Sequence, residues 1–397
     1  MARQPAADLF PTEDPWPSNE LIGRAEDVEE LSLALANRTH RRLAAPRRTG
    51  KTTVCEAALA ALRERDFYTV SVDLWEVADQ SEFAEALVAR TIANRPALRR
   101  ARHRIAELGK GTASTIRITT RLVDELGSEV EVAWKPSLAD RDPRRYLRYA
   151  LELPQRVAQA DGKRAVVFFD EFQNILELEE RGRGKDGQAL QKLCRTVFQR
   201  SKLVSVLFAG SYEHLMREIF APEMPLGHFG GFHDLHEITA AEWRAGIRLR
   251  LRRDRSRISD DALDLLLERS ELHPRATVLI AQQAYQAAVT AETHELDSAL
   301  VRIGIEEAQR QERSKHEQVV DRIRDLGGAQ TKRRALKVAK AIARGEPPYR
   351  KGAHSQTVSR AIDELRDAGL IESLGRGRGW RLVDPLLRHY LASLDPR

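Results

Sequence analysis

The sequence predicts an α/β fold: a P-loop αβα core built on a parallel sheet, followed by an α-helical lid and a C-terminal winged helix-turn-helix domain. Three observations predict it. Short apolar runs at Tyr68 to Leu74, Ala165 to Phe169 and Leu203 to Ala209 alternate with helical segments, the pattern of strands buried in a parallel sheet. Residues Ala45 to Thr53 read A-P-R-R-T-G-K-T-T between a short apolar stretch (Leu43, Ala44) and an apolar helix. From Gln330 onward the chain turns basic and reads helix, helix, short strand, glycine-rich turn and strand.

Taken in order, the polar, proline-rich residues 1–20 are expected to form a flexible tail. Leu21 to Arg24 then lead into a helix carrying Val28, Leu31, Leu33 and Leu35, whose early acids (Glu26, Asp27, Glu29, Glu30) suit a helix N-terminus. Val54, Ala57, Ala58, Leu59 and Leu62 place an apolar face on the helix after the loop. Residues 21–237 form the expected core, with an arginine-rich insertion over 94–161 in which Thr115 to Leu122 and Val130 to Trp134 alternate like a hairpin. Residues 238–312 read as the helical lid. The charged stretch that ends in Gly327-Gly328 reads as a linker over 313–328, leaving 329–397 as a separate domain.

The loop and the V-V-F-F-D-E run from Val166 to Glu171 carry the chemistry. A loop that opens a helix points backbone amides and a positive helix end at a phosphate, so Ala45, Pro46, Arg47, Arg48, Thr49, Gly50, Lys51, Thr52 and Thr53 are candidate nucleotide contacts. Lys51 would reach the β- and γ-phosphates, and Thr52 would offer its hydroxyl to Mg²⁺. Four apolar residues mark a buried strand that delivers Asp170 to the metal and Glu171 to the attacking water. The strict pattern G-x-x-x-x-G-K-[ST] fails at its first position, where Ala45 is followed by Pro46; a methyl group still permits close approach where the dihedrals are allowed. Taken singly, an ordinary strand-turn-helix and a solvated strand end account for the two runs. Their order and spacing favour a nucleoside triphosphate site.

A composition of 42% hydrophobic and 31% charged residues is that of a soluble globular protein, and 397 residues allow two or three cores. No apolar signal core opens the chain. The chargeless stretch from Ala276 to Ala291 is too short and too polar to cross a bilayer, so a cytoplasmic protein without a membrane anchor is expected. Cys55 and Cys194 sit in apolar helical contexts, as reduced core thiols do. The formal charge of +6 is uneven: residues 330–397 carry 15 Lys or Arg against 7 Asp or Glu, a net +8, so the preceding residues carry −2. That is the footprint of a domain that meets a polyanion, and also a common route to solubility.

Gly23-Arg24, the P-R-R-T-G-K-T-T loop, the F-F-D-E-F-Q run (Phe168 to Gln173) and Ala209-Gly210-Ser211 after a strand together resemble the archaeal-type ATPases of the signal-transducing branch of AAA+-related P-loop ATPases. The resemblance implies ATP as the nucleotide. It also implies that Gly23 and Arg24 border the nucleotide, that Ser211 is a sensor-1 residue orienting water, and that Arg275 in H-P-R (His273 to Arg275) is a sensor-2 contact to the γ-phosphate. Arg217 is the only arginine between Ser211 and Trp243, hence the sole local candidate for a trans-acting finger in a nucleotide-dependent homo-oligomer.

In the C-terminal domain, Val358, Ala361, Ile362 and Leu365 share one helical face, Gly369 stops the helix, and Gly375 to Gly379 form a G-R-G-R-G turn. Double-stranded DNA is the expected partner, with Ser355 to Arg360 in the groove, Arg376 and Arg378 on the wing, and Lys332, Arg333, Arg334, Lys337 and Lys340 on phosphates. Asp363 and Asp367 on the same helix argue for a protein partner instead. His228, His233 and His236 read as solvated side chains of a glycine-rich mobile loop, without the cysteines of a metal centre. The expected function is therefore an ATP-driven switch acting on a DNA-binding winged helix. The alternative is a DNA-binding regulator or protein-docking scaffold whose degenerate nucleotide site is only structural.

Overall fold

The computed structural model describes residues 3–12, 16, 20–94, 118–123, 129–134, 143–180, 184–185, 187–326, 332–348, 355–375 and 379–394. They divide into two compact units: Glu26–Ala45 with Lys51–Leu235, and Met1–Ala25 with Pro46–Gly50 and His236–Arg397. The first is built on five parallel strands: β1 (Arg41–Ala44), β2 (Tyr68–Asp73), β3 (Ala165–Asp170), β4 (Val204–Gly210) and β5 (Gly231–Phe232). Their spatial order is β2-β3-β4-β1-β5.

The pleat sorts the strand residues between two cores. Val166 and Phe168 of β3, with Leu207 and Ala209 of β4, pack beside Val54, Ala58, Leu59 and Leu62 of the helix Lys51–Glu64. Val167, Phe169, Val206 and Phe208 face the other way, onto residues of the helices Gln80–Ala93, Pro143–Ala160 and Gly187–Arg200. Period-two alternation of uniformly apolar strands thus yields a helix layer on each face, an αβα sandwich. The edge strand β5 falls in the stretch expected as a mobile glycine loop. Gly231 N–H donates to the His40 carbonyl at 3.0 Å, so backbone pairing, which needs no side-chain signal, orders this segment. His233, expected to be solvated, is buried with Nε2 3.5 Å from Asp27 Oδ1. Within the expected insertion, Ile118–Val123 and Glu129–Trp134 pair antiparallel, while Gly109 to Gly111 lie outside the described residues.

The second unit is helical: Ala240–Arg253, Asp260–Ser270, Pro274–Thr290 and the long Ser298–Asp325, followed by Lys332–Ala343 and Ser355–Asp367, an antiparallel pair of strands (Ile371–Ser373, Trp380–Leu382) and the helix Pro385–Ser393. Gly369 adopts φ +68 at the end of the Ser355–Asp367 helix, where a left-handed stop needs glycine.

Two boundaries differ from expectation. Residues 313–325, read as linker, continue one helix. Their charges alternate in sign at helical spacing, with Arg313–Glu317 at 3.1 Å and Arg324–Asp321 at 2.7 Å, while Glu312, His316, Val320 and Ile323 form a buried stripe. Nor are residues 3–12 a tail. Leu9 and Phe10 are each 1% exposed in a core of this helical unit, and Arg3 donates to Asp254, Ser256 and the Thr293 carbonyl. The buried Arg250 guanidinium lies 3.7 Å from the Trp16 ring and donates to the Leu9 and Glu20 carbonyls at 2.7 Å. Apolar content this sparse gives no periodic signal, yet two side chains and a set of backbone acceptors suffice to dock the segment.

We therefore predict that Phe10→Ala destabilises the helical unit by about 3–5 kcal/mol, the usual loss for emptying a buried phenylalanine site. Scanning calorimetry that showed no change in either transition would restore the picture of a free tail.

Candidate functional site

The loop between β1 and the Lys51–Glu64 helix is set by backbone as much as by side chains. Ala45 is buried and its N–H donates to the Gly210 carbonyl at 3.3 Å, extending the β1–β4 pairing into the loop. Arg48 and Gly50 take φ +69 and +89, and the Thr49 hydroxyl donates to the Pro46 carbonyl at 2.8 Å. Glycine is required at position 50 by that dihedral, not by crowding, since an added Cβ would meet open space. The helix then starts at Lys51, leaving its first amides unpaired within the helix. Pro46 and Arg47 lie on this loop, and Thr53 lies in the first turn of the helix.

Within the sheet unit the expected residues converge. Lys51, 5% exposed, places Nζ 2.9 Å from Asp170 Oδ1 and 3.6 Å from Glu171 Oε1. Burial opposes the ammonium charge, but Asp170 and Glu171 outweigh it and hold the lysine above its ordinary value. The Thr52 hydroxyl donates to Asp170 Oδ2 at 2.6 Å. Glu171 stands just past the end of β3 in a left-handed conformation (φ +46), and its N–H donates to Asp170 Oδ1 at 2.9 Å. The Ser211 hydroxyl, just past the end of β4, donates to Glu171 Oε1. The two carboxylates, the lysine and both hydroxyls therefore meet where adjacent parallel strands end, the customary place for a site in such sheets.

Gln173, Gly210 and Asp73 border this group, and only Asp73 lies outside the quoted motifs. Gln173, 2% exposed, donates through Nε2 to Glu171 Oε2 at 2.5 Å, so Glu171 is held from both sides. Its signal was its place two residues beyond Glu171. Gly210 makes the room: a Cβ there would sit 2.5 Å from both Gln173 Oε1 and Met216 Sδ. Asp73 ends β2 in register with Asp170. Burial, and then the charges of Asp170 and Glu171, hold its carboxyl above the usual range against the Trp75 N–H that it accepts.

In the helical unit, Gly23 takes φ +60 where a Cβ would lie 2.7 Å from Ile238 Cγ2. Arg24, 7% exposed, donates to the Thr49 carbonyl at 3.0 Å and to the His236 carbonyl, so it braces the loop backbone. Arg275 lies in the first turn of Pro274–Thr290, donating to the Thr12 carbonyl at 2.6 Å and to Glu312 Oε1 at 3.0 Å. Arg48 of the loop reaches Glu312 Oε2 at 3.2 Å and Asp384 Oδ2 at 3.0 Å. Glu312 was hidden in the expected linker. Burial works against its charge, but the bonds from Lys315 and Arg275 and the field of Arg48 bring its pKa down to about 2. Arg217 is 71% exposed on the short helix Glu213–Ile219, 3.7 Å from Glu213. Arg376 and Arg378 lie outside the described residues. No described helix is long and apolar enough to cross a membrane.

This strand order, with a phosphate-loop pattern after β1 and Asp-Glu at the end of β3, is an α/β P-loop ATPase fold. Residues 38–217 match the family model described as AAA domain. No curated protein sequence matches the chain. Among solved structures, the chain is similar to the Walker-type ATPase of Pyrococcus abyssi (TM-score 0.67, 16% identity, 96% of this chain and 99% of that one). It is similar also to the Aeropyrum pernix ORC2 protein in ADPNP–ADP complexes (TM-score 0.61, 15% identity, 98% and 96%). The Aeropyrum pernix ORC1 protein in complex with DNA aligns with a TM-score of 0.51 at 16% identity, over 99% and 97% of the two chains.

Protonation supplies a test of the helical unit. His273 N-caps the Pro274–Thr290 helix through Nδ1, and burial, then the fields of Arg48, Arg381 and Arg275 acting against Asp384, lower its pKa from 6.5 to about 4. The unfolded chain binds this proton below pH 6.5 while the fold refuses it until about pH 4, so stability contributed by His273 falls as pH drops through that window. His273→Asn keeps a capping acceptor but cannot titrate. Its unfolding midpoint should vary less than the parent's between pH 6.5 and 4; parallel curves would remove His273 as the sensor.

Proposed function

We propose that the chain is an ATP-binding and ATP-hydrolysing molecular switch whose nucleotide state controls a DNA-binding winged helix. The observation that carries it is the convergence of Lys51, Thr52, Asp170, Glu171 and Ser211 at the ends of β3 and β4. A degenerate, merely structural site has no need of a buried lysine, a hydroxyl and two carboxylates in mutual contact.

The residues fit a magnesium nucleotide. Thr52 and Asp170 form a pair of hard oxygen ligands 2.6 Å apart and would hold Mg²⁺, which would supply positive charge against the phosphates. Lys51 exchanges its Asp170 contact for phosphate oxygens, and the loop amides bind the remaining oxygens. Glu171, fixed by Ser211 and Gln173, orients water and takes its proton. Ser211 thereby acts as the sensor-1 residue and Arg275 as sensor 2, with Arg24 bracing the loop carbonyl. The ADPNP–ADP complexes of the ORC2 protein support an adenine nucleotide. Arg217 is the arginine-finger candidate for a homo-oligomer, and its exposure leaves it accessible to a neighbouring subunit.

The module formed by Lys332–Ala343, Ser355–Asp367, the Ile371–Ser373 and Trp380–Leu382 strands and Pro385–Ser393 has the order of a winged helix. The net charge of +8 over residues 330–397 and the ORC1–DNA structure support duplex DNA as its partner. Asp363 and Asp367 do not stand as free anions, since Arg366 lies 3.0 and 3.3 Å from them. The signal-transducing branch of AAA+-related ATPases is the reading that this combination supports.

ATP turnover by Lys51→Ala and Glu171→Gln, with and without duplex DNA at fixed salt, tests the proposal. Lys51→Ala should lose nucleotide binding. Glu171→Gln should keep binding and slow hydrolysis by about 10²- to 10⁴-fold. Parent-like turnover in both variants would end the catalytic assignment. Background turnover with DNA present, alongside tight DNA binding, would instead support a regulator with a structural nucleotide site.

A further inference from the structure

Arg48 belongs to the phosphate loop, yet its guanidinium is turned toward the C-terminal module. Nη1 lies 3.2 Å from Glu312 Oε2 on the long Ser298–Asp325 helix and 3.0 Å from Asp384 Oδ2. Glu312, 1% exposed, also accepts from Arg275 at 3.0 Å and Lys315 at 3.0 Å. Three cations on one buried carboxylate is the arrangement that a phosphate group commands. Asp384 divides its oxygens between two tasks. Oδ1 caps the Pro385–Ser393 helix by accepting from the Leu386 and Leu387 amides at 2.9 and 3.3 Å, while Oδ2 takes Arg48, with His316 Nε2 4.0 Å away. The last helix thus begins on the residue that tethers the loop arginine.

We propose that Arg48 is the coupling residue of the switch: nucleotide phosphates and the carboxylates of Glu312 and Asp384 compete for its guanidinium, so phosphate binding releases the Pro385–Ser393 helix from the loop. This rests on the nucleotide-binding reading above and names the regulation of that site. The single positive charge of Arg48 is already shared by two carboxylates, so a phosphate must compete with them for it, and Arg48 is anchored to the loop by its own backbone at φ +69. Linkage makes the coupling reciprocal: whatever phosphate does to the Asp384 contact, loss of that contact does to phosphate affinity. The Arg48 and Asp384 side chains are 36% and 20% exposed, which limits the pair to the energy of a partly screened ion pair and the effect to a few-fold.

Asp384→Asn is the informative variant, because asparagine is as good an N-cap as aspartate and keeps the helix start while removing the charge that holds Arg48. In equilibrium titrations with a fluorescent ATP analogue and Mg²⁺, Asp384→Asn should bind about two- to fivefold more tightly than the parent. Glu372→Gln, which neutralises a carboxylate paired with Arg381 in the same module, should bind as the parent does. Amide hydrogen exchange gives a second readout. Nucleotide should speed exchange over residues 385–393 in the parent, whereas in Asp384→Asn that exchange should be fast with or without nucleotide. Equal affinities, or nucleotide-dependent exchange that persists in Asp384→Asn, would overturn the coupling while leaving nucleotide binding standing. A parent chain that bound no nucleotide would overturn both.

Discussion

The carboxylate of Asp170 is the contact on which the sheet unit's site depends. It receives the Lys51 ammonium on one oxygen and the Thr52 hydroxyl on the other, and it caps the backbone turn into Glu171. Lys51 and Asp170 are both almost fully buried, so neither charge survives alone; breaking such a pair from one side typically costs about 3–5 kcal/mol. The end of β3 and the start of the loop helix are thereby locked in register, and the acidic residue that follows is delivered in a left-handed conformation that most side chains avoid. The strain is tolerated because Ser211 and Gln173 hold that side chain from neighbouring elements.

The helical unit repeats the same physical device with Glu312. A buried glutamate is costly unless paired, and this one gathers Arg275, Lys315 and the loop's Arg48. Its presence explains why a stretch of chain dense in charge runs as an unbroken helix: the charges on its outer face pair along the helix, and those on its inner face find partners from other segments. The N-terminal residues are drawn in by the same economy of polar groups, since Arg250, Gln282 and Arg275 donate to carbonyls of residues 9, 10, 12 and 20.

The two units thus ask different things of the sequence. In the sheet unit, apolar strands and a glycine at position 210 set the packing, and a few polar residues at strand ends carry the chemistry. In the helical unit, polar side chains reaching backbone carbonyls far away in sequence tie the segments together.

Local pattern by itself determined strands β2, β3 and β4, the loop helix, the helices that follow residue 238 and the C-terminal helices and strands, because alternation and helical spacing are properties of short windows. It also determined Lys51, Thr52, Asp170, Glu171 and Ser211 as candidates, since each sits at a fixed offset from a strand or helix end. Tertiary structure alone decided the remainder. Asp73 matters through register between strands, Glu312 and Asp384 through the approach of an arginine some 260 or more positions away, and residues 3–12 through acceptors that their own sequence does not advertise. A carboxylate's partner is set by distance in space, and no window of sequence contains that distance.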